Sequence, residues 1–113
     1  MEITKYIKNN SKYDYLIQVN CISEIMYAKF KLACEKKLRT PLMDALRHFI
    51  QECVNNNSID NTIIKIKKIS NGKKRISVKI HKETWNSFKK ICDTNNLKPS
   101  WVLKSFMIFV IKA

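Results

Sequence analysis

Glycine and proline are nearly absent from this chain of 113 residues, which has one Gly (Gly72) and two Pro (Pro41 and Pro99). That excludes a collagen-like or Gly/Pro-rich disordered polymer, and 45% hydrophobic with 27% charged residues describes a folded chain. Its length is room for one ordinary domain or two very small ones. At this size one core stabilises only modestly, so small units need staples or partners. Long apolar runs are also missing. The longest, Ser105 to Ile111, falls far short of the roughly 20 residues of a spanning helix. The first residues, MEITKYIKNN, lack the apolar core of a signal peptide, so a cytoplasmic protein without membrane contact is expected. Cys21, Cys34, Cys53 and Cys92 are widely separated, with no Cys-x-x-Cys pair, and read as small apolar residues. His48 and His81 stand at no ligand-like spacing, so no metal is expected. No glycine-rich phosphate loop, paired acids or nucleophile–His arrangement is visible. The expectation is a non-enzyme with no cofactor and no small-molecule substrate.

Acids are scarce too. Nine Asp and Glu face 22 Lys and Arg, a formal charge of +13 that calls for a polyanionic partner, and nucleic acid fits best. The excess is uneven. From Asp14 to Val54 the net charge is +1, whereas from Thr62 to Ala113 it is +11.

A divergent internal repeat organises the chain. Arg75-Ile-Ser-Val-Lys-Ile80 alternates strictly, with Ile76, Val78 and Ile80 on one face; Leu16-Ile-Gln-Val-Asn-Cys21 places Ile17, Val19 and Cys21 equivalently. Period-two alternation predicts a half-buried strand in each. An amphipathic helix follows each strand: Tyr27, Phe30, Ala33 and Cys34 form one stripe, and Trp85, Phe88, Ile91 and Cys92 the other. Breaks come next. Asn95-Asn96 suits a left-handed helix end and Pro99 disfavours helix at Lys98, so Ser100 is expected to cap the next helix. In the first half Thr40 is the expected cap and Pro41 the first helical residue. The second helices match at an offset of 60, the strands at about 59 and the first helices at about 58, which predicts turns of different length. Ile3–Ile7 and Ile64–Ile69 each precede a turn-like segment and predict an extra strand before each main strand.

This order of strand, amphipathic helix, short turn and apolar helix resembles the ribbon-helix-helix (MetJ/Arc-type) family of DNA-binding regulators. The resemblance is closest over Lys74–Val110, with Asn96 at the place of the family's turn glycine. Residues 15–54 are a weaker copy. The tandem form is similar to small regulators of archaeal viruses, which would act in the host cytoplasm. The fold so implied is α+β and mostly helical. It consists of two tandem ribbon-helix-helix (or ββαα) repeats, 1–56 and 57–113, sharing an intertwined core, with a linker over 57–73. One strand and two helices cannot bury their apolar faces alone, so the copies pair either within one chain or between chains. The last helix, from Trp101 to Lys112, is apolar on most sides, which predicts a homodimer or higher oligomer.

The resemblance implies that the ribbon enters the major groove of double-stranded DNA. With Ile76, Val78 and Ile80 inside, Arg75, Ser77 and Lys79 face out, where Arg and Lys suit guanine. The first copy turns out Leu16, Gln18 and Asn20, and Gln and Asn are the usual bidentate partners of adenine. Phosphate contacts are expected from Lys65, Lys67, Lys68, Lys73, Lys74 and Lys98. Further ones are expected at the second-helix starts, Arg39-Thr40 and Ser100-Trp101, through free backbone amides. Pro41 offers no N–H, which predicts the poorer clamp in the first copy. Taken singly these residues have plainer roles. Exposed Lys on a strand edge opposes aggregation, Gln18 and Asn20 suit any polar face, Trp85 and Trp101 suit a core, and Thr40 and Ser100 cap helices regardless. The +11 charge of the second half favours DNA, with that half supplying most phosphate attraction and the first half specificity or oligomer contacts. The resulting expectation is a sequence-specific transcription regulator, repressor or activator. The rivals are a nonspecific architectural DNA-coating protein and an antitoxin-type autorepressor. The apolar C-terminus argues against the second. RNA binding would favour exposed aromatics on a sheet face.

Overall fold

The computed structural model describes residues 13–64 and 72–113. The expected extra strand at Ile3–Ile7 lies outside these residues, as does that at Ile64–Ile69 apart from Ile64. Lys65, Lys67 and Lys68 lie outside them as well. Ile64 itself is half-buried against the core and belongs to no strand.

The elements are β1 (Tyr15–Ile22), α1 (Glu24–Ala33) continued by a π-helical turn (Cys34–Leu38), α2 (Leu42–Asn56), β2 (Lys74–Ile80), α3 (Lys82–Thr94) and α4 (Pro99–Lys112). The fold is α+β and mostly helical, with one two-stranded antiparallel sheet formed by β1 and β2. Alternation builds the strands: Ile17, Val19, Ile76, Val78 and Ile80 are buried and their neighbours face outward. The alternation fails at one expected place. Cys21 is exposed and Ile22 fully buried, because the register slips between Val19 and Ile22 and Cys21 takes a left-handed φ of 63°. Such a bulge inserts one residue and re-aims the next. The core position expected for Cys21 therefore belongs to Ile22.

Local chemistry starts the helices. The Ser23 side chain accepts from the Met26 N–H at 3.0 Å, a regular N-cap. His81 at the start of α3 makes no such bond; instead Asp14, just ahead of β1, accepts from the Lys82 N–H at 3.0 Å. That bond holds the Asp14 carboxyl below its ordinary pKa of 3.8. Two expected caps are corrected. Pro41 has an extended ψ of 149° and is itself the N-cap of α2, its carbonyl accepting from the Ala45 N–H at 3.0 Å; Thr40 makes no capping bond. Helix α4 begins at Pro99, one turn earlier than its apolar match to α2 suggested, and Ser100 lies inside it. The reason is Pro99, whose fixed φ suits the first helical position and which drives Lys98 to an extended ψ of 137°. The two turns are alike in one respect. Each passes through a left-handed residue, Arg39 (φ 53°) or Asn96 (φ 57°), three residues before the first residue of the next helix. The π-helical turn, closed by the Thr40 N–H on the Cys34 carbonyl at 3.2 Å, holds one residue more between Phe30 and Arg39 than separates Phe88 from Asn96, so the first half's turn is not the shorter one that the offsets implied.

Packing crosses between the halves. Helix α2 lies against α3 and β2, while α4 lies against α1 and β1, so each half's second helix covers the other half's first helix and strand. Phe30 and Phe88 are fully buried, as are Cys34 and Cys92, at the positions the repeat pairs with each other. A continuous line of rings joins the halves. Phe30 meets Phe106 edge-on at 6.2 Å, Phe106 stacks on Phe49 at 4.2 Å, Phe49 meets Phe88 at 6.4 Å, and Trp85 closes the line at 5.5 Å from Phe88. Burying one such ring contributes about 1.5–3 kcal/mol, so the line is a major part of the cohesion between halves. Lys37 donates to the carbonyls of Val110 (3.1 Å), Ile111 (2.9 Å) and Ala113, closing the C-terminal end of α4 with a positive charge.

Candidate nucleic-acid interface

Antiparallel pairing sets Leu16 opposite Lys79, Ile17 opposite Val78, Gln18 opposite Ser77 and Val19 opposite Ile76. Odd and even partners therefore take opposite faces of the ribbon. The buried face carries the aliphatic residues. On the other face Gln18, Asn20, Arg75 and Lys79 are exposed, Ser77 is half-buried and Leu16 is 53% exposed. All five residues expected to contact bases are thus gathered on one solvent-facing surface, with Leu16 among them. The Arg47 guanidinium of α2 donates to the Lys79 carbonyl at 3.0 Å and also to Asp44, fastening the β2 end of this surface to α2. It also lies 4.7 Å from the centre of the Tyr13 ring. Sequence reasoning missed Arg47. Its one signal was Asp44 three residues earlier, a spacing that pairs charges along a helix but points to no strand.

The residues expected at phosphates occupy three places. Lys73 and Lys74 are exposed where β2 begins, and the Lys74 ammonium sits 4.7 Å over the Tyr27 ring, which holds it beside the ribbon. Arg39 is exposed and Thr40 half-buried ahead of α2; Lys98 is exposed, with Ser100 and Trp101 half-buried, at the start of α4. Lys98 lies 5.2 Å over the Trp101 ring. The Trp101 N–H is directed at the Lys98 carbonyl at 3.0 Å, which leaves Ser100 the better placed amide of this pair. The expected handicap of Pro41 disappears, because it precedes the helix and Leu42 and Met43 keep their N–H groups. A different asymmetry replaces it. Asp44 puts a negative charge in the first turn of α2, whereas the first turn of α4 carries no acid to oppose an anion.

Among the described residues no three His, Cys, Asp or Glu side chains group to hold a metal ion, and no helix is long and apolar enough to cross a membrane. Burial pushes the thiols of Cys34 and Cys53 up to about 11 and that of Cys92 to about 12, which keeps them protonated and inert. Compared with family models, with curated proteins and with solved structures, the chain finds no match.

Proposed function

We propose that this protein is a sequence-specific regulator of transcription that binds double-stranded DNA, built as two tandem ribbon-helix-helix units folded into one intrachain pair. The observation that carries the reading is the ribbon face: Gln18, Asn20, Arg75, Ser77 and Lys79 side by side, backed by an aliphatic face that fixes their direction. A two-stranded ribbon fits the major groove, and these side-chain types read base edges there. Lys73 and Lys74 flank the ribbon, and together with Lys98 and the first amides of α4 they would grip phosphates; Arg39 and Thr40 would do so more weakly beside Asp44. Lys65, Lys67 and Lys68 would add to the attraction. The regulator would act in the cytoplasm, without catalysis or cofactor. For the self-association expected of its last helix, Leu38 and Phe109 offer exposed apolar surface beside an open cavity of about 600 Å³ between α2 and α4.

Fluorescence anisotropy with labelled duplexes tests the reading. Replacing Lys73 and Lys74 with Gln should weaken all duplexes alike and reduce the slope of log K against log salt by about two, one for each phosphate contact. Arg75→Ala should cost roughly 1–3 kcal/mol at a preferred site and much less on random DNA. Equal losses on both would make the ribbon a phosphate clamp and the protein an architectural coat. No binding at low salt would remove DNA as the partner.

A further inference from the structure

The pairing register has a symmetry that the side chains do not share. An offset of 59 residues maps Leu16 onto Arg75, Gln18 onto Ser77 and Asn20 onto Lys79. The same register places Gln18 directly opposite Ser77, so the local two-fold axis passes through that pair. Two unlike corners result. Leu16 pairs with Lys79 at one end of the outer face; at the other the bulged Asn20 and Cys21, both exposed, lie together opposite Arg75. A ribbon made from two identical chains would present the same two residues at both ends.

Resting on the reading of this face as the DNA contact, we infer that the protein recognises a site without dyad symmetry, its base discrimination concentrated under the Asn20–Arg75 corner. Arg binds guanine O6 and N7 through two donors, and Asn binds adenine N6 and N7 through a donor and an acceptor. That corner therefore defines two base pairs. At the opposite corner Leu16 has only an aliphatic surface to offer, suited to a thymine methyl, and Lys79 is a single flexible charge. The centre is also unequal: Gln18 is exposed and suits adenine, whereas Ser77 is half-buried and short. Four residues along a strand span about 13 Å, or about four base-pair steps at 3.4 Å. The two corners thus address different base pairs of one short site.

The backbone carries the same inequality. The bulge at Asn20–Cys21 lies at the Arg75 end, where Cys21 takes φ 63°, while the pairing of Tyr15 with Ile80 at the other end is regular. A bulge bends and twists its strand locally. The two ends of the ribbon would then meet the groove with different tilt, and identical half-sites could not be met identically.

Selection from a pool of duplexes randomised over about 20 positions, with the full chain, tests the inference. The expected result is a motif unlike its own reverse complement, with a strong G·C and a strong A·T position at one end and little preference at the other. A second selection uses Leu16→Arg/Lys79→Asn, both exposed positions, which gives the two corners the same pair of residue types. This variant should enrich a site closer to a palindrome. Within the original motif, Arg75→Ala should lower affinity about 5- to 150-fold and flatten the G·C position. Enrichment of a palindrome by the unaltered chain would overturn the inference while leaving sequence-specific DNA binding intact. Retention of duplex without enrichment would overturn it and favour an architectural role. No retention would overturn this inference and the DNA reading together.

Discussion

Val19 and Val78 stand 59 residues apart, are both fully buried, and occupy equivalent places on the inner face of the ribbon. Truncating either to Ala removes two methyl groups from the core, a transfer loss of about 1.6 kcal/mol at ~0.8 kcal/mol per group. Partial collapse leaves a void of roughly 25–50 Å³, which adds about 0.6–1.2 kcal/mol at ~24 cal/mol per Å³. Each substitution should therefore cost about 2–3 kcal/mol, and the two costs should be similar. Urea unfolding followed by circular dichroism reads this directly. With a slope of about 1–1.5 kcal/mol per M, the midpoint should fall by about 1.3–3 M. Gln18→Ala and Lys79→Ala, one residue away along the same strands but on the outer face, should stay within about 0.5 kcal/mol. A loss below about 0.5 kcal/mol for either valine would refute the reasoning. It would mean that one strand's inner face is not closed over the shared core.

Three further outcomes are expected. At pH 8 a disulfide-exchange reagent should titrate one thiol rapidly, that of exposed Cys21, and the other three only on unfolding; a second fast thiol would contradict the burial of Cys34, Cys53 and Cys92. Asp14 has a lowered folded-state pKa, so its contribution to stability is full above its ordinary 3.8 and is lost as pH falls through the lower folded value. The unfolding midpoints of the unaltered chain and Asp14→Ala should accordingly differ at neutral pH and converge on acidification; a constant difference would show that the bond to the Lys82 N–H is not its source. A Cβ at Gly72 would come within 2.4 Å of the Ile22 carbonyl oxygen and the Ser23 Cα, neither of which can swing aside. Gly72→Ala should then cost roughly 1–3 kcal/mol in the same urea assay, and an unchanged midpoint would show that the segment before β2 packs elsewhere.

Much of this architecture was legible because the signals were periodic. Ile76-Ser-Val-Lys-Ile80 can satisfy water and core at once only as a strand, and the spacing of Phe88, Ile91 and Cys92 only as a helix. The matched offsets also brought Phe30 and Phe88 to equivalent positions, where both are fully buried. The misses fall where backbone conformation depends on contacts distant in sequence. Nothing local distinguishes Cys21 from Ile22 as the last inward residue; the choice follows from the approach of Gly72 and the register with Lys74. Thr40 and Ser100 were credible caps by residue type, but each adjacent proline fixed the helix start instead. The choice between pairing within a chain and between chains was also illegible, because the hydrophobic pattern is the same in both. For the candidate site, alternation alone gave the outward set on both strands, whereas Arg47 and the Tyr27 support of Lys74 required the folded chain.

Strand pairing within one chain changes how the fold responds to dilution. A ribbon assembled from two separate molecules is a second-order product, and its stability falls as molecules become few. Here β1 and β2 belong to one polypeptide, joined by the segment from Ser23 to Lys73. Each strand meets the other at an effective concentration set by the tether, of order millimolar for short flexible linkers, and the intervening helices bring the ends closer still. Pairing of β1 with β2 should accordingly survive at nanomolar protein, below any concentration at which whole chains associate. A cell holding a handful of copies would hold them folded, with both strands of the ribbon already in place.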